Sequence, residues 1–265
     1  MPEFYGRGIM KLSINRMRAL AAAVAVGLFQ SVLIAAGPTY GEAIDIAIAH
    51  GATPAGWVAP AGTLYSISGN AVTDAQYGIK YDSGKIITRS LTKSAYSKTD
   101  YVGKTYSIYG NPTTDAAWVT TGADVTSFLD NNGGTASNST KLLERGLGMN
   151  DTGAHDMVVE YAVAPTVDNI MRPIKNPGIA GYSASAADYG DSASFVKPSG
   201  MSDAVFANFT AYYNNWYQSA LVNKTFPWTQ LGYTYFWGNG YTQAEIQGMT
   251  EFIVLGNTPV DIYGM

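Results

Sequence analysis

Residues 226–255, FPWTQLGYTYFWGNGYTQAEIQGMTEFIVL, constrain the fold more than any other stretch of the chain. Leu231, Tyr233, Tyr235 and Trp237 alternate with Gly232, Thr234 and Phe236, the period of two that sends one set of side chains to each face of a strand. Gly238-Asn239-Gly240 supplies the positive φ angles of a tight turn, and 251–255 resumes as a mostly apolar strand headed by Glu251. A strand this rich in rings needs a large apolar partner. The strongest helical pattern provides one: Ser202 and Asp203 open a run in which Val205, Phe206, Phe209, Tyr212, Tyr213, Trp216 and Ala220 recur at steps of three and four.

The remainder alternates between β and short helical patterns. Residues 64–68, 77–81, 85–91 and 101–109 read as strands, with Asp82-Ser83-Gly84 as a hairpin turn and Asn111-Pro112 closing the last run. Residues 123–130 and 140–146 read as short helices, the second capped by Asn138 or Ser139 and ended by Gly146 and Gly148. MVVEYAV, 157–163, reads as a buried strand around Glu160, and the Gly/Ala/Ser/Asp-rich 181–194 as a surface loop. The expected fold class is α+β: a mainly antiparallel sheet packed against one long C-terminal helix and short helices.

The N-terminal region points to export. Lys11, Arg16 and Arg18 precede the mostly apolar 19–36, the charged and apolar regions of a signal sequence, with Met10 as the start that such a signal needs. Cleavage after Gly37, Ala43 or Ala49 fits a small-residue pattern, and an uncleaved membrane anchor is the competing reading. The expected organisation of this 28.2 kDa chain, large enough for one substantial core, is residues 1–43 as signal or leader, 44–62 as a linker whose Trp57 docks on the domain, and 63–265 as a single domain. An exported chain with no cysteine has no disulfide staple and no thiol chemistry, so its stability rests on the core. A net charge of −4, without a basic patch in the mature part, argues against a nucleic-acid partner.

Chemical motifs are sparse. Lys98 stands where a phosphate loop ending in Gly103-Lys104-Thr105 needs glycine, there is no G-x-S-x-G elbow, and Asp130-Asn131-Asn132 lacks EF-hand spacing. No cofactor or metal site is expected. His155, between Asp151 and Asp156, is the one histidine within the domain, and Glu160 and Glu251 are carboxylates inside apolar strands, a costly arrangement unless they are paired or exposed. The bland expectation pairs Glu160 with Arg172 or Arg145 and leaves Glu251 in water at a strand start. The sharper one makes His155, Glu160, Arg172 and Glu251 catalytic, with Arg172, Tyr235 and Glu251 converging on a cleft in the manner of ADP-ribosyltransferases, an analogy of class alone. The rival is binding: Trp228, Tyr233, Tyr235, Trp237 and Tyr241 as an aromatic platform for a small molecule, a glycan or a surface protein, against the alternative that they are packed core.

Five segments together carry a resemblance: LLERGLGM (142–149), HDMVVEYAV (155–163), R-P-x-x-x-P (172–177), PWTQLGYTYFWG (227–238) and GMTEF (248–252). The C-terminal half resembles a group of exported bacterial proteins that share P-W-T-x-L-G-Y-T-Y-x-W. Lys175 and Asn176 depart from that pattern where an acid would follow the Arg-Pro pair. The resemblance implies export and a shared fold but no reaction. The sequence therefore predicts an exported, periplasmic or extracellular, non-catalytic binding protein, with a secreted enzyme acting on a nucleotide or glycan as the alternative.

Overall fold

The longest helix sets the layering. Ser202 caps α5 (Asp203–Tyr217), its hydroxyl accepting from the Val205 N–H at 3.3 Å, and the helix runs on through a π-helical turn, Gln218–Val222. Its stripe of Phe209, Tyr212 and Tyr213 is buried and packs with Met171, Trp228, Ile253 and Leu255. The aromatic face foreseen in the sequence is thus spent on one face of a sheet.

A computed structural model describes residues 37–50, 53–60, 63–94, 102–179 and 194–265, all within one unit, Gly37–Met265. The signal-like 1–36 and most of the 181–194 loop lie outside the described residues. In chain order the elements are α1 (Tyr40–Ala49), a 3₁₀ turn (Pro54–Trp57), α2 (Ala71–Ala75), β1 (Tyr81–Asp82), β2 (Lys85–Thr92), β3 (Thr105–Ser107), β4 (Ala116–Thr121), α3 (Gly122–Asn131), α4 (Ser139–Gly146), β5 (Met157–Val163), then α5, β6 (Tyr233–Tyr235), α6 (Gln243–Ile246), β7 (Gln247–Thr250), β8 (Phe252–Leu255) and β9 (Pro259–Gly264). The main sheet has the order β3-β9-β5-β2-β4-β8, with β1 added beside β2; every pairing is antiparallel, and β6 and β7 form a separate pair. The class is α+β. The face away from α5 buries Ile86, Val119, Val159, Val163, Phe252, Val254 and Ile262 under Ile67, Ile79, Ile170 and Ile179. No helix among the described residues is long and apolar enough to cross a membrane.

Several expectations hold element by element. β5 spans the predicted Met157–Val163, and the β1–β2 turn places Ser83 and Gly84 at φ 49° and 79°, the left-handed pair that a two-residue hairpin requires. Others are corrected. Residues 64–68 form no strand; there the Ile67 N–H donates to the Ile179 carbonyl at 2.8 Å. The aromatic strand is regular only over Tyr233–Tyr235, because Gln230 (φ 58°), Gly232 (φ 79°) and Gly238 (φ 80°) turn the chain out of extended geometry on either side.

The largest correction is at the start. Residues 44–50, read as linker, belong to α1 and its C-cap, held by a capping box between Thr39 and Glu42. Ala43 and Ala47 are buried against Tyr235, Trp237 and Ile246, and Trp57 packs on the same cluster.

Phe209 is fully buried, whereas Trp216 is half-buried. Phe209→Ala should therefore cost about 3–5 kcal/mol and Trp216→Ala distinctly less. Chemical denaturation checks this; an unchanged midpoint for Phe209→Ala contradicts the packing.

Candidate functional site

Strand β2 pairs with β5 from Ile86–Val163 to Thr92–Met157, yet its register with β4 covers only Thr88–Thr121 and Arg89–Thr120. From there β4 is committed to β8, from Val119–Phe252 to Ala116–Leu255. The two strands part and the sheet forks. Between the prongs lies a cleft of about 430 Å³, its walls formed by 90–93 on one side and 116–119 on the other. That volume falls in the ~300–1,000 Å³ range of small-molecule sites.

The crotch of the fork is tied by polar groups. Arg89 holds Glu160 across β2 and β5, with Nε and a terminal nitrogen each 2.8 Å from Oε1, and its other terminal nitrogen donates to the Gly122 carbonyl at 3.2 Å. β4 passes directly into α3, whose cap is Thr121. Asp124, in the first turn of α3, accepts from the Thr250 N–H at 2.6 Å and from Thr120 Oγ1 at 3.3 Å. Burial pushes its carboxyl up to about 6, opposed by those bonds and by the charge of Arg172.

The cleft itself is mostly apolar. Leu91 and Trp118 come from the prongs, Leu147 and Met149 from the segment after α4, Trp216 from α5, and Phe226 follows the π-helical turn. Trp118 and Trp216 stand 5.2 Å apart, and Trp118 Nε1 donates to Tyr212 Oη at 2.7 Å, which fixes the indole. The polar lining includes Arg89, Lys93, His155, Thr234 and Glu251.

Glu251 is the unusual group. It is only 2% exposed, and its Oε2 has no hydrogen-bond partner among the described residues. Burial raises its carboxyl well above the ordinary range; the Trp228 indole N–H faces it and opposes that shift, without reaching good hydrogen-bond geometry. The expectation of a solvated strand start is corrected: β8 ends the strand order yet is buried throughout, and the acid just before it is carried inside with it. His155 also lines the cleft, and its backbone N–H and Nδ1 each lie 3.0 Å from Glu144 Oε1 on the fully buried carboxylate of α4.

The other candidates are dispersed. Glu160 pairs with Arg89 rather than with Arg172 or Arg145, because register sets Arg89 directly across from it. Arg145 binds Asp151 at 2.6 Å and lies over the Trp237 ring. Arg172 is fully buried, donates to the Tyr65 carbonyl and lies 4.7 Å over Phe252. Arg172 and Tyr235 do not line the cleft with Glu251, so the ADP-ribosyltransferase-like triad does not assemble. Asp151, His155 and Asp156 likewise turn to separate partners: Arg145, Glu144 and Ser94.

The aromatic platform is corrected too. Trp228, Tyr233, Tyr235 and Trp237 are each at most 7% exposed and present no open face to a ring; only Tyr241 is exposed. They are core because α1, α5 and Trp57, Val58, Ala59 and Leu64 close over them. Of the rings that do border the cleft, Trp216 is marked in the sequence by helical periodicity, whereas Trp118 was missed, although it lies in a short apolar run that ends at the cap Thr121.

His50, assigned from the sequence to the leader or linker, is buried and stacked 3.5 Å from Trp57, and burial pulls it down to about 4. No protein-family profile matches the chain, and no curated protein or solved structure shows significant similarity to it.

The Glu251 carboxyl gives a pH-dependent stability of defined sign. Its folded-state value lies above its unfolded value near 4.5, so the folded protein binds the extra proton and its stability falls as pH rises through that window. Glu251→Gln, which cannot ionise, should gain on wild type with increasing pH, by about 1.4 kcal/mol for each unit inside the window. Denaturation at a series of pH values tests this; a wild-type-to-variant difference that stays constant from acid to neutral pH contradicts it.

Proposed function

We propose that this chain is an exported, non-catalytic protein that binds an apolar, ring-bearing small molecule in the fork of its sheet. The cleft between β2 and β4 carries the reading: it has the volume of a ligand site, two tryptophans and a phenylalanine along its walls, and few polar groups. Binding is favoured over catalysis because the four candidate catalytic residues do not meet. Glu160 and Arg172 do not line the cleft, and each is engaged by a structural partner, Arg89 and the Tyr65 carbonyl. The alternative of a secreted enzyme acting on a nucleotide or glycan keeps one observation in its favour, the presence of both His155 and Glu251 in the cleft lining.

Export rests on Lys11, Arg16, Arg18 and the apolar run after them, and on the resemblance to exported proteins. The packing of α1 bears on where processing falls. Cleavage after Ala43 would strip buried Ala43, and cleavage after Ala49 both Ala43 and Ala47, from Tyr235 and Trp237, so the reading takes cleavage at Gly37. Mass spectrometry of exported protein should find a chain starting at Pro38. Recovery of a soluble cytoplasmic form with Met10 intact, or a mature start at Ile44 or His50, contradicts this.

Binding is tested with N-phenylnaphthylamine, an apolar dye whose fluorescence rises on leaving water. Saturable binding to the folded protein is expected. Ala116→Phe, which adds a ring on the Trp118 side of β4, should weaken it at least about tenfold without lowering the melting midpoint. Unsaturable dye uptake, or affinity unchanged by Ala116→Phe, contradicts the assignment, and turnover of a nucleotide or glycan that is lost in His155→Ala would favour the enzyme.

A further inference from the structure

An apolar cleft selects its ligand through the few polar groups that remain unsatisfied at its wall. Among those lining this one, Arg89 is held by Glu160 and by the Gly122 carbonyl, His155 by Glu144, and Thr234 gives its hydroxyl to the Gly146 carbonyl while accepting from the Met249 N–H at 2.7 Å. Glu251 differs. Its Oε2 is buried with no partner among the described residues, in a side chain that borders the cleft. An unmet hydrogen bond at such a position costs free energy that a bound molecule recovers.

Resting on the reading of the cleft as a ligand site, we propose that Glu251 is its polar anchor, the carboxyl group donating a hydrogen bond to a carbonyl or ether oxygen of an otherwise apolar, ring-bearing ligand. Two further observations support an acceptor oxygen over an amine. The desolvation that raises the Glu251 carboxyl keeps its proton on, and a protonated acid is a donor. Of the basic side chains lining the cleft, Arg89 and His155 are offset by Glu160 and Glu144, which leaves Lys93 as the like charge that a cationic ligand would meet. A neutral ligand with a single acceptor meets neither obstacle. The rings of Trp118, Trp216 and Phe226 then take its flat apolar body, and Glu251 sets its orientation.

The test uses two probes of nearly equal shape, acetylnaphthalene and ethylnaphthalene, with naphthylethylamine as the cationic arm, each titrated into the folded protein. Acetylnaphthalene should bind about tenfold tighter than ethylnaphthalene. Glu251→Gln, whose amide still donates, should keep that preference. Glu251→Met, of similar volume but without a donor, should abolish it while leaving ethylnaphthalene affinity unchanged. Equal binding of the two neutral probes to wild type overturns the anchor and leaves the cleft as a ligand site. Tightest binding of the amine overturns the acceptor assignment. Binding of none of the three overturns both the anchor and the cleft reading.

Discussion

A strand has two edges, and β2 gives only one of them whole to a neighbour. β5 takes one edge from Ile86 to Thr92; the other is divided between β1 at its start and two positions of β4, Thr88 and Arg89, after which β4 belongs to β8. Much of the molecule follows from that division. The sheet has to fork, the fork needs a tie at its crotch, and the prongs leave a space that side chains alone do not fill. The tie is built from Arg89 with Glu160 and Gly122, and from Asp124 with Thr120 and Thr250. β4 ends in Thr121, which caps α3, so the chain leaves the sheet where the pairing to β2 is made.

Buried polar groups in this protein fall into two kinds, and the contrast gives the cleft its meaning. Asp124, Glu144 and Asp74 are buried and well served: Glu144 accepts from the N–H groups of Gly153 and His155, and Asp74 from the Ser68 N–H and hydroxyl and from Tyr81 Oη. Each fastens a loop to an element, and the bonds offset the cost of taking a carboxylate out of water. Glu251 has the burial, but its Oε2 has no hydrogen bond among the described residues. A protein under selection for stability alone would replace it with an apolar residue of similar volume, since an unpaired buried acid is expensive. Its place at the wall of the apolar cleft is the physical reason to connect it with a ligand.

Local features were legible in the sequence and non-local ones were not. Ser83-Gly84, the span of β5 and the capped α5 could be read because each is set by residues within one turn of one another: positive φ, period two, and apolar steps of three and four. α1 was hidden because its alanines and small residues continue the character of the apolar run before it, so that a packed helix and a leader look alike. The aromatic run from Leu231 to Trp237 displayed its period, but periodicity does not say whether a face is covered; that is decided by α1, α5 and Trp57, Val58, Ala59 and Leu64, which come from elsewhere in the chain. Glu160 and Glu251 were both marked as acids in apolar strands. Only pairing across the sheet gives Arg89 to one and nothing to the other. The fork was beyond reach for the same reason, being a matter of which strand stops pairing with which.

The account turns on Glu251 being an uncharged acid at the wall of the cleft. Carbon-detected NMR of protein labelled at the glutamate carboxyls, with Glu251→Gln to assign its signal, observes that state directly. The account predicts a Glu251 resonance that is still protonated at neutral pH in the unliganded protein and titrates well above the ordinary glutamate range. A resonance already in the carboxylate form at neutral pH would contradict it, because the group would then be solvated or paired and could not donate a hydrogen bond to the ligand.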